Sequence, residues 1–152
     1  MIADPLDFRG ALLDEVLPFW ERSVDRECGG FITEIDARGE RHGGGEKHLV
    51  MQTRMIYSYA LGYRLTRNPA YLANARQGFE FFRAHFYDQE HRGWFRTTSR
   101  EGVPMNREKW PYGIAFAVYA LADYYAASGD GEALRLAVET FELHWERAWD
   151  TE

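Results

Sequence analysis

Arg54 is the only charged side chain between Lys47 and Arg64 in the stretch KHLVMQTRMIYSYALGYRLTR. Apolar residues lie on every side of that stretch (Leu49, Val50, Met51, Ile56, Tyr57, Tyr59, Ala60, Leu61 and Tyr63), and neither Pro nor an early Gly interrupts it. Such a segment reads as a buried helix. A guanidinium does not lose its proton, so holding one there requires an anion, carbonyls or a hydroxylated ligand to answer its donors. The competing reading is a structural arginine bonded to loop carbonyls. Other reactive side chains are weaker candidates. Cys28 lies in a Gly-rich loop with no histidine placed beside it, which argues against a nucleophile. His42 and His48 are six residues apart across a glycine run, a spacing without metal-ligand logic, so no metal site is expected. Gly43-Gly44-Gly45 lacks both the Gly-x-Gly-x-x-Gly and the Gly-Lys-Ser/Thr patterns of phosphate loops. His42, His85, His91 and His144 fall on loops or outer helix faces and read as solvated.

The elements that must position Arg54 follow in order. Leu13, Val16, Leu17, Trp20 and Val24 have helical spacing after an Asp4-Pro5 cap, with Pro18 expected to kink or divide the helix. Residues 26–46 alternate briefly at Phe31, Thr33 and Ile35 between glycines, which predicts a short β-hairpin in a long loop. The Arg54 helix then runs to about Thr66. Asn68 as N-cap and Pro69 at N1 start the next helix, over about 69–87. Its apolar stripe is Leu72, Ala75, Phe79, Phe82 and Phe86, with Asn74, Arg76, Gln77 and Arg83 on the other side. A second loop opens at Asp88 with a hairpin-like Gly93-Trp94-Phe95. A second all-round-apolar helix follows at about 110–128. Asp130 then caps a helix expected to turn Leu134, Ala137, Val138, Phe141 and Trp145 inward.

Residues 109–150 align with 47–88 at a constant offset of 62, pairing Lys47 with Lys109, Tyr57 with Tyr119, Ala60 with Ala122, Phe79 with Phe141 and Asp88 with Asp150. The unit is a hairpin-bearing loop, a buried helix, a short turn and a half-exposed helix. Repeating it makes a double layer, inner helices walled by outer ones, with the long loops on one face as the mouth of a central pocket. The expected fold is therefore all-α: part of an α/α toroid, about five helices alternating inner and outer, with short β-hairpins in the loops. Asp25-Arg26-Glu27 and Asp88-Gln89-Glu90 each open a loop, and Asp150-Thr151-Glu152 begins a third. The expectation is that 1–152 is the N-terminal part of a single domain, whose open edge exposes apolar surface.

Composition narrows the function. With 24 acidic and 18 dispersed basic residues among 152, a nucleic-acid footprint is not expected. No basic n-region with an apolar h-region opens the chain, and no apolar run reaches membrane-spanning length. The single cysteine forms no internal disulfide. A cytoplasmic location is expected.

KHLVMQTRMIYSYA, FYDQEHRGWF and KWPYGIAFAVYALADYYAASGD resemble the N-terminal part of the N-acylglucosamine 2-epimerase family, which includes cellobiose and mannose 2-epimerases and related aldose–ketose isomerases. The resemblance covers nearly the whole chain and about the first two-fifths of an (α/α)6 barrel of twelve helices. It implies proton removal beside the carbonyl of a ring-opened sugar and reprotonation at C2 or C1, without a cofactor. Two histidines do this acid–base work in the family, and no residue here matches them. The resemblance places Arg54 near the sugar oxygens and Tyr112 in contact with substrate; otherwise Tyr112 reads as a packing residue. His48 and Trp110, at equivalent repeat positions near the mouth, could stack on a sugar or pack an interface. The implied partners are a small sugar and either a second copy of the chain or the remainder of the barrel. Two alternatives stand beside this. A toroid glycoside hydrolase needs two mouth-facing carboxylates, and the inner helices offer only Asp123. A non-catalytic remnant would bind sugar or protein through the inner face.

Overall fold

The computed structural model describes residues 7–42 and 45–148. The helices form two layers. Inner α2 (Leu49–Thr66) and α4 (Pro111–Ser128) pack side by side, backed by outer α3 (Pro69–His85) and α5 (Gly131–Ala148), while α1 (8–23) leans on α2. Local signals explain the boundaries. Asn68 Oδ1 accepts the Ala70 amide at 3.0 Å ahead of Pro69, and Asp130 Oδ1 accepts the Glu132 amide at 2.9 Å. Arg67 and Gly129 end the inner helices in the left-handed conformation.

Pro18 divides α1 without ending it. A π-helical stretch, Ala11–Val16, precedes a second α-helical turn, Leu17–Trp20, with Pro18 in its first positions, and Glu21–Ser23 tightens to 3₁₀. Asp7 caps the start of the described helix, accepting the Gly10 amide at 2.8 Å; the expected Asp4-Pro5 cap lies outside the described residues. Leu17 and Val24 are buried, whereas Val16 is exposed.

The hairpins are smaller than the alternation implies. Residues 24–41 close through isolated bridges, Val24 with Phe31 and Ile35 with Arg41. The regular sheet instead joins the two loops: β1 (Lys47–His48) from the first pairs with β2 (Thr97–Thr98), and β2 with β3 (Pro104–Asn106), both from the second, all antiparallel, in the order β1-β2-β3. The first loop enters the core at Phe31, which is fully buried and pressed against Gly78 of α3, where a Cβ would strike its ring. Gln52 of α2 holds it there, accepting from the Phe31 amide at 2.8 Å and donating to its carbonyl at 2.7 Å.

Two expectations about outer faces are corrected. Asn74 is buried, and Gln77 reaches inward to donate to the Asp25 carbonyl at 2.7 Å. An outer helix beneath a long loop must satisfy that loop's carbonyls, so polar residues are needed on its inner side. In α5 the buried line is Ala133, Leu136, Ala137, Thr140 and Leu143; Leu134, Val138, Phe141 and Trp145 are exposed. The helix carries two apolar stripes, and periodicity does not say which one meets α4.

The loops of both units are held by the same device. Asp25 Oδ1 accepts the Glu27 and Cys28 amides, and Asp88 Oδ1 accepts those of Glu90 and His91. Each carboxylate then takes a lysine from the start of the next inner helix: Lys47 Nζ at 3.1 Å from Asp25 Oδ2, and Lys109 Nζ at 2.7 Å from Asp88 Oδ2. Between them the chain turns through left-handed pairs, Gly29-Gly30 and Arg92-Gly93, into the buried aromatics Phe31 and Trp94. Burial pushes the Asp25 carboxyl up, but hydrogen bonds from Arg100, Lys47 and the Cys28 amide overcome it and hold the group well below the usual carboxylate range. Asp88 has the same balance of burial against Lys109 and two amides and lies at about 2. Burial pulls both lysines below the ordinary amine value, against the carboxylates that favour their charged forms. The depressed carboxylates, each with several donors, set the direction for both pairs: ionised.

Removing one partner of a fully buried pair leaves a desolvated charge, a loss of about 3–5 kcal/mol. Asp25→Asn is therefore expected to destabilise the chain by about that much in urea unfolding. Asp88→Asn should cost less, because a quarter of the Lys109 side chain is exposed. The acid limb follows from the same groups. A carboxylate depressed by folding contributes stability that is complete above its unfolded value of 3.8 and lost as pH falls toward about 2. Melting temperature measured from pH 5 to 2 should fall more steeply in the parent chain than in Asp88→Asn.

Candidate functional site

Sequence reasoning places Arg54 inside the layer, and the structure corrects this. Arg54 is exposed, on the side of α2 not covered by α3. Its neighbours are aromatic: Cζ stands 5.0 Å from the centre of the Phe116 ring, and Nη2 donates to Tyr112 Oη at 3.4 Å, a long contact. The apolar face of α2 that the sequence displays is real but divided. Thr53, Ile56 and Ala60 are buried, while Val50, Tyr57 and Leu61 are only half-buried beside Arg54. An inner helix that borders a pocket keeps apolar and aromatic side chains on its open side, so composition alone reports it as buried.

Arg54, from the second turn of α2, thus meets Tyr112, from the first turn of α4. His48 and Trp110 occupy the N-cap positions of the same two helices. Both line a cleft of about 220 Å³ with Leu49, Val50, Arg96 and Gly113. Trp110 is partly committed: Tyr112 packs on it at 4.8 Å, and the Arg96 guanidinium, paired with Glu108 at 2.6 Å, lies 4.7 Å from its ring.

Deeper along the open face, Tyr57 and Tyr119 pack at 4.3 Å. Burial, then the hydrogen bond with Tyr57, raises the Tyr119 phenol above its ordinary value, so it stays protonated at neutral pH. Beyond it Arg64 Nη1 lies 2.6 Å from Asp123 Oδ1. This leaves Asp123 engaged with a cation on the face where a hydrolase would need a pair of acting carboxylates. Phe116, Tyr57, Tyr119 and Arg64 were not singled out from the sequence as site residues. The repeat carried the signal, since Tyr57 with Tyr119 and Arg54 with Phe116 are equivalent positions that touch.

The remaining chemistry-bearing residues lie elsewhere. The Cys28 amide is tied to Asp25, and its side chain is half-buried in the loop. His85 is half-buried, its ring 4.6 Å from that of Phe81. Among the described residues, Asp36, Glu40 and His42 are the one group whose ligand atoms gather within 4.8 Å. They belong to an exposed turn in which Asp36 already accepts two amides and His42. Gly43 and Gly44 lie outside the described residues. No helix among the described residues is long and apolar enough to cross a membrane.

Comparison with known proteins agrees with this architecture. The cellobiose 2-epimerase of Ruminococcus albus is 36% identical over 136 residues, which is 90% of this chain and 35% of that protein. The solved cellobiose 2-epimerase of Spirochaeta thermophila superposes with a TM-score of 0.87 at 42% identity, covering 91% of this chain and 34% of that one. A D-mannose isomerase shares the fold, with a TM-score of 0.86 at 23% identity over 99% of this chain and 38% of that one. The chain thus spans about a third of the length of the relatives it matches. The double layer is the α/α toroid of these enzymes. The N-acylglucosamine 2-epimerase family model matches residues 30–152, and the chain belongs to that family.

Proposed function

We propose that this chain forms the N-terminal portion of a single-domain sugar 2-epimerase or aldose–ketose isomerase of the cytoplasm, acting by proton transfer at C2 of a ring-opened sugar. One observation carries the reading: a guanidinium and a phenol from adjacent inner helices converge on an open, aromatic-lined face. Removing the proton beside a carbonyl places negative charge on oxygen. Arg54 supplies fixed donors for that oxygen, strengthened where surrounding rings exclude water. Tyr112, hydrogen-bonded to Arg54, orients the same sugar edge, and the Phe116 ring beneath keeps the guanidinium plane in place. His48 and Trp110 border the entrance and contact the outer part of the substrate.

Proton transfer itself needs groups that titrate near neutrality. Below His48 at its rim, the open face of the described chain presents Arg54, Arg64, Asp123 and phenols, with no second histidine to complete a pair. The acid–base pair therefore comes from outside these residues. The hydrolase reading gains no support, since Asp123 is paired with Arg64. The 152-residue chain alone is expected to give no C2 epimerisation of cellobiose, mannose or N-acylglucosamine by NMR over a day; measurable turnover would refute the division of labour proposed here.

Arg54→Ala tests the binding role against a structural one. Because Arg54 is exposed, its loss should shift the melting temperature of this chain by no more than about 2 °C, in line with surface substitutions generally. Alanine at the aligned position of a complete relative should lower kcat by about 10²–10³-fold, the scale of a lost oxyanion donor. A large stability loss with unchanged specific activity would mark the arginine as structural.

A further inference from the structure

The aromatic contacts around Arg54 lead away from the open face to a second arginine. Arg54 and Tyr112 are both exposed, and their hydrogen bond is long at 3.4 Å. Long exposed side chains spread over several rotamers, so two of them keep a mutual position only where something else restrains them. Beneath Arg54 that restraint is the Phe116 ring, on which Tyr112 also packs at 4.9 Å. Tyr112 packs on Trp110 as well, at 4.8 Å, and the Arg96 guanidinium lies 4.7 Å from the centre of the Trp110 ring.

Arg96 is the fixed end of this row. Its amide donates to the Asn106 carbonyl at 2.9 Å and its carbonyl accepts the Leu49 amide at 3.0 Å, so one residue joins the second loop to the first turn of α2. Its side chain reaches toward α4. Nη1 meets Glu108 Oε2 at 2.6 Å, and the Glu108 amide donates in turn to Asn106 Oδ1 at 2.9 Å. The two charged side chains are 42% and 53% exposed, and ion pairs so open to water add little stability. What this pair fixes is the direction of the guanidinium. The first unit has a counterpart at the same place. Two residues after the buried Phe31, Thr33 Oγ1 accepts the amide of His48, the N-cap of α2, at 3.2 Å. Two residues after the buried Trp94, Arg96 covers Trp110, the N-cap of α4. In the second unit the support passes on through the Trp110 ring to Tyr112.

We propose that Arg96, aimed by Glu108, is a positioning residue: through the Trp110 ring it sets Tyr112, and through Tyr112 the Arg54 guanidinium, where the two meet the sugar. This rests on the reading of Arg54 and Tyr112 as substrate-binding residues. A cation over an indole is attracted by the negative face of the ring, and a guanidinium stacks there as a plane where an ammonium is only a point charge. Arg96 touches no reacting atom in this scheme. Its effect reaches the sugar through Trp110.

The coupling is tested in the 152-residue chain by solution NMR of the Tyr112 ring signals and the Arg54 δ-methylene signals. Arg96→Met keeps the side chain's length and removes its charge, Arg96→Lys restores a cation, and Glu108→Gln loosens its hold. Arg96→Met is expected to move both sets of signals, Glu108→Gln to move them the same way by less, and Arg96→Lys to bring them at least about halfway back. With Trp110→Leu already in place, Arg96→Met should no longer move them. Unmoved signals overturn the proposal. So does equal movement in the Trp110→Leu background, because Arg96 would then act without the ring; if that background does not fold, the ordering of the other three variants decides. The catalytic arm uses a complete relative with the same four residues at the positions aligned with 54, 96, 110 and 112. Methionine at the position aligned with 96 should lower kcat about tenfold and leave KM within about twofold, since a misplaced donor costs the transition state most, and lysine should recover at least about half of the loss. An unchanged kcat overturns the positioning role where alanine at the position aligned with 54 still lowers it. If that alanine also leaves kcat unchanged, the sugar-binding reading of Arg54 has failed, and this proposal with it.

Discussion

A charge pair buried under a loop sets the geometry of this protein. Asp25 gathers two amides, a lysine and an arginine, and these donors come from the first loop, the start of α2 and the second loop. Long loops carry many carbonyls and amides and few apolar side chains, so hydrophobic contact alone cannot fix their path. Here the carboxylate ties the turn, and the lysine ties the turn to an inner helix. The aromatic residue after the turn is thereby driven into the core, as Phe31 and Trp94 both are. Each lysine stands two residues ahead of its inner helix, so the clamp also sets where α2 and α4 start and hence the height at which Arg54 and Tyr112 meet.

Much of this was readable in the residues, for identifiable reasons. Asn68-Pro69 and Asp130 act through bonds within a few residues, so they mark helix starts correctly. The 62-residue offset exposed the double layer because one physical unit is built twice. What escaped was long in range or depended on direction. The Asp25–Lys47 pair spans 22 residues, and nothing local joins them. Helix α5 carries two apolar stripes, and choosing between them needs the position of α4, which no periodicity contains.

Arg54 shows the same limit at the site. A helix facing lipid, core or a ligand cavity has one and the same apolar circumference in sequence, and only coordinates tell which neighbour is absent. The residue was correctly singled out as costly to enclose, but the structure answers the cost with an open face, a ring and a phenol instead of burial. The role given to Tyr112 came from resemblance, and its contact with Arg54 came from the fold.

Tyr57 touches Tyr119, and Arg54 touches Phe116, each at corresponding places in the two copies. Neighbouring inner helices are therefore level with one another, like staves of a cask, and corresponding side chains form horizontal tiers around the axis. Chemistry then becomes a property of the tier, not of the individual stave. The uppermost holds His48 and Trp110, the next a cation over an aromatic ring, and below it lies a belt of phenols. If a sugar enters this face end-on, as proposed above, it meets these in a set sequence, so how far it descends decides which of its atoms is presented to which tier.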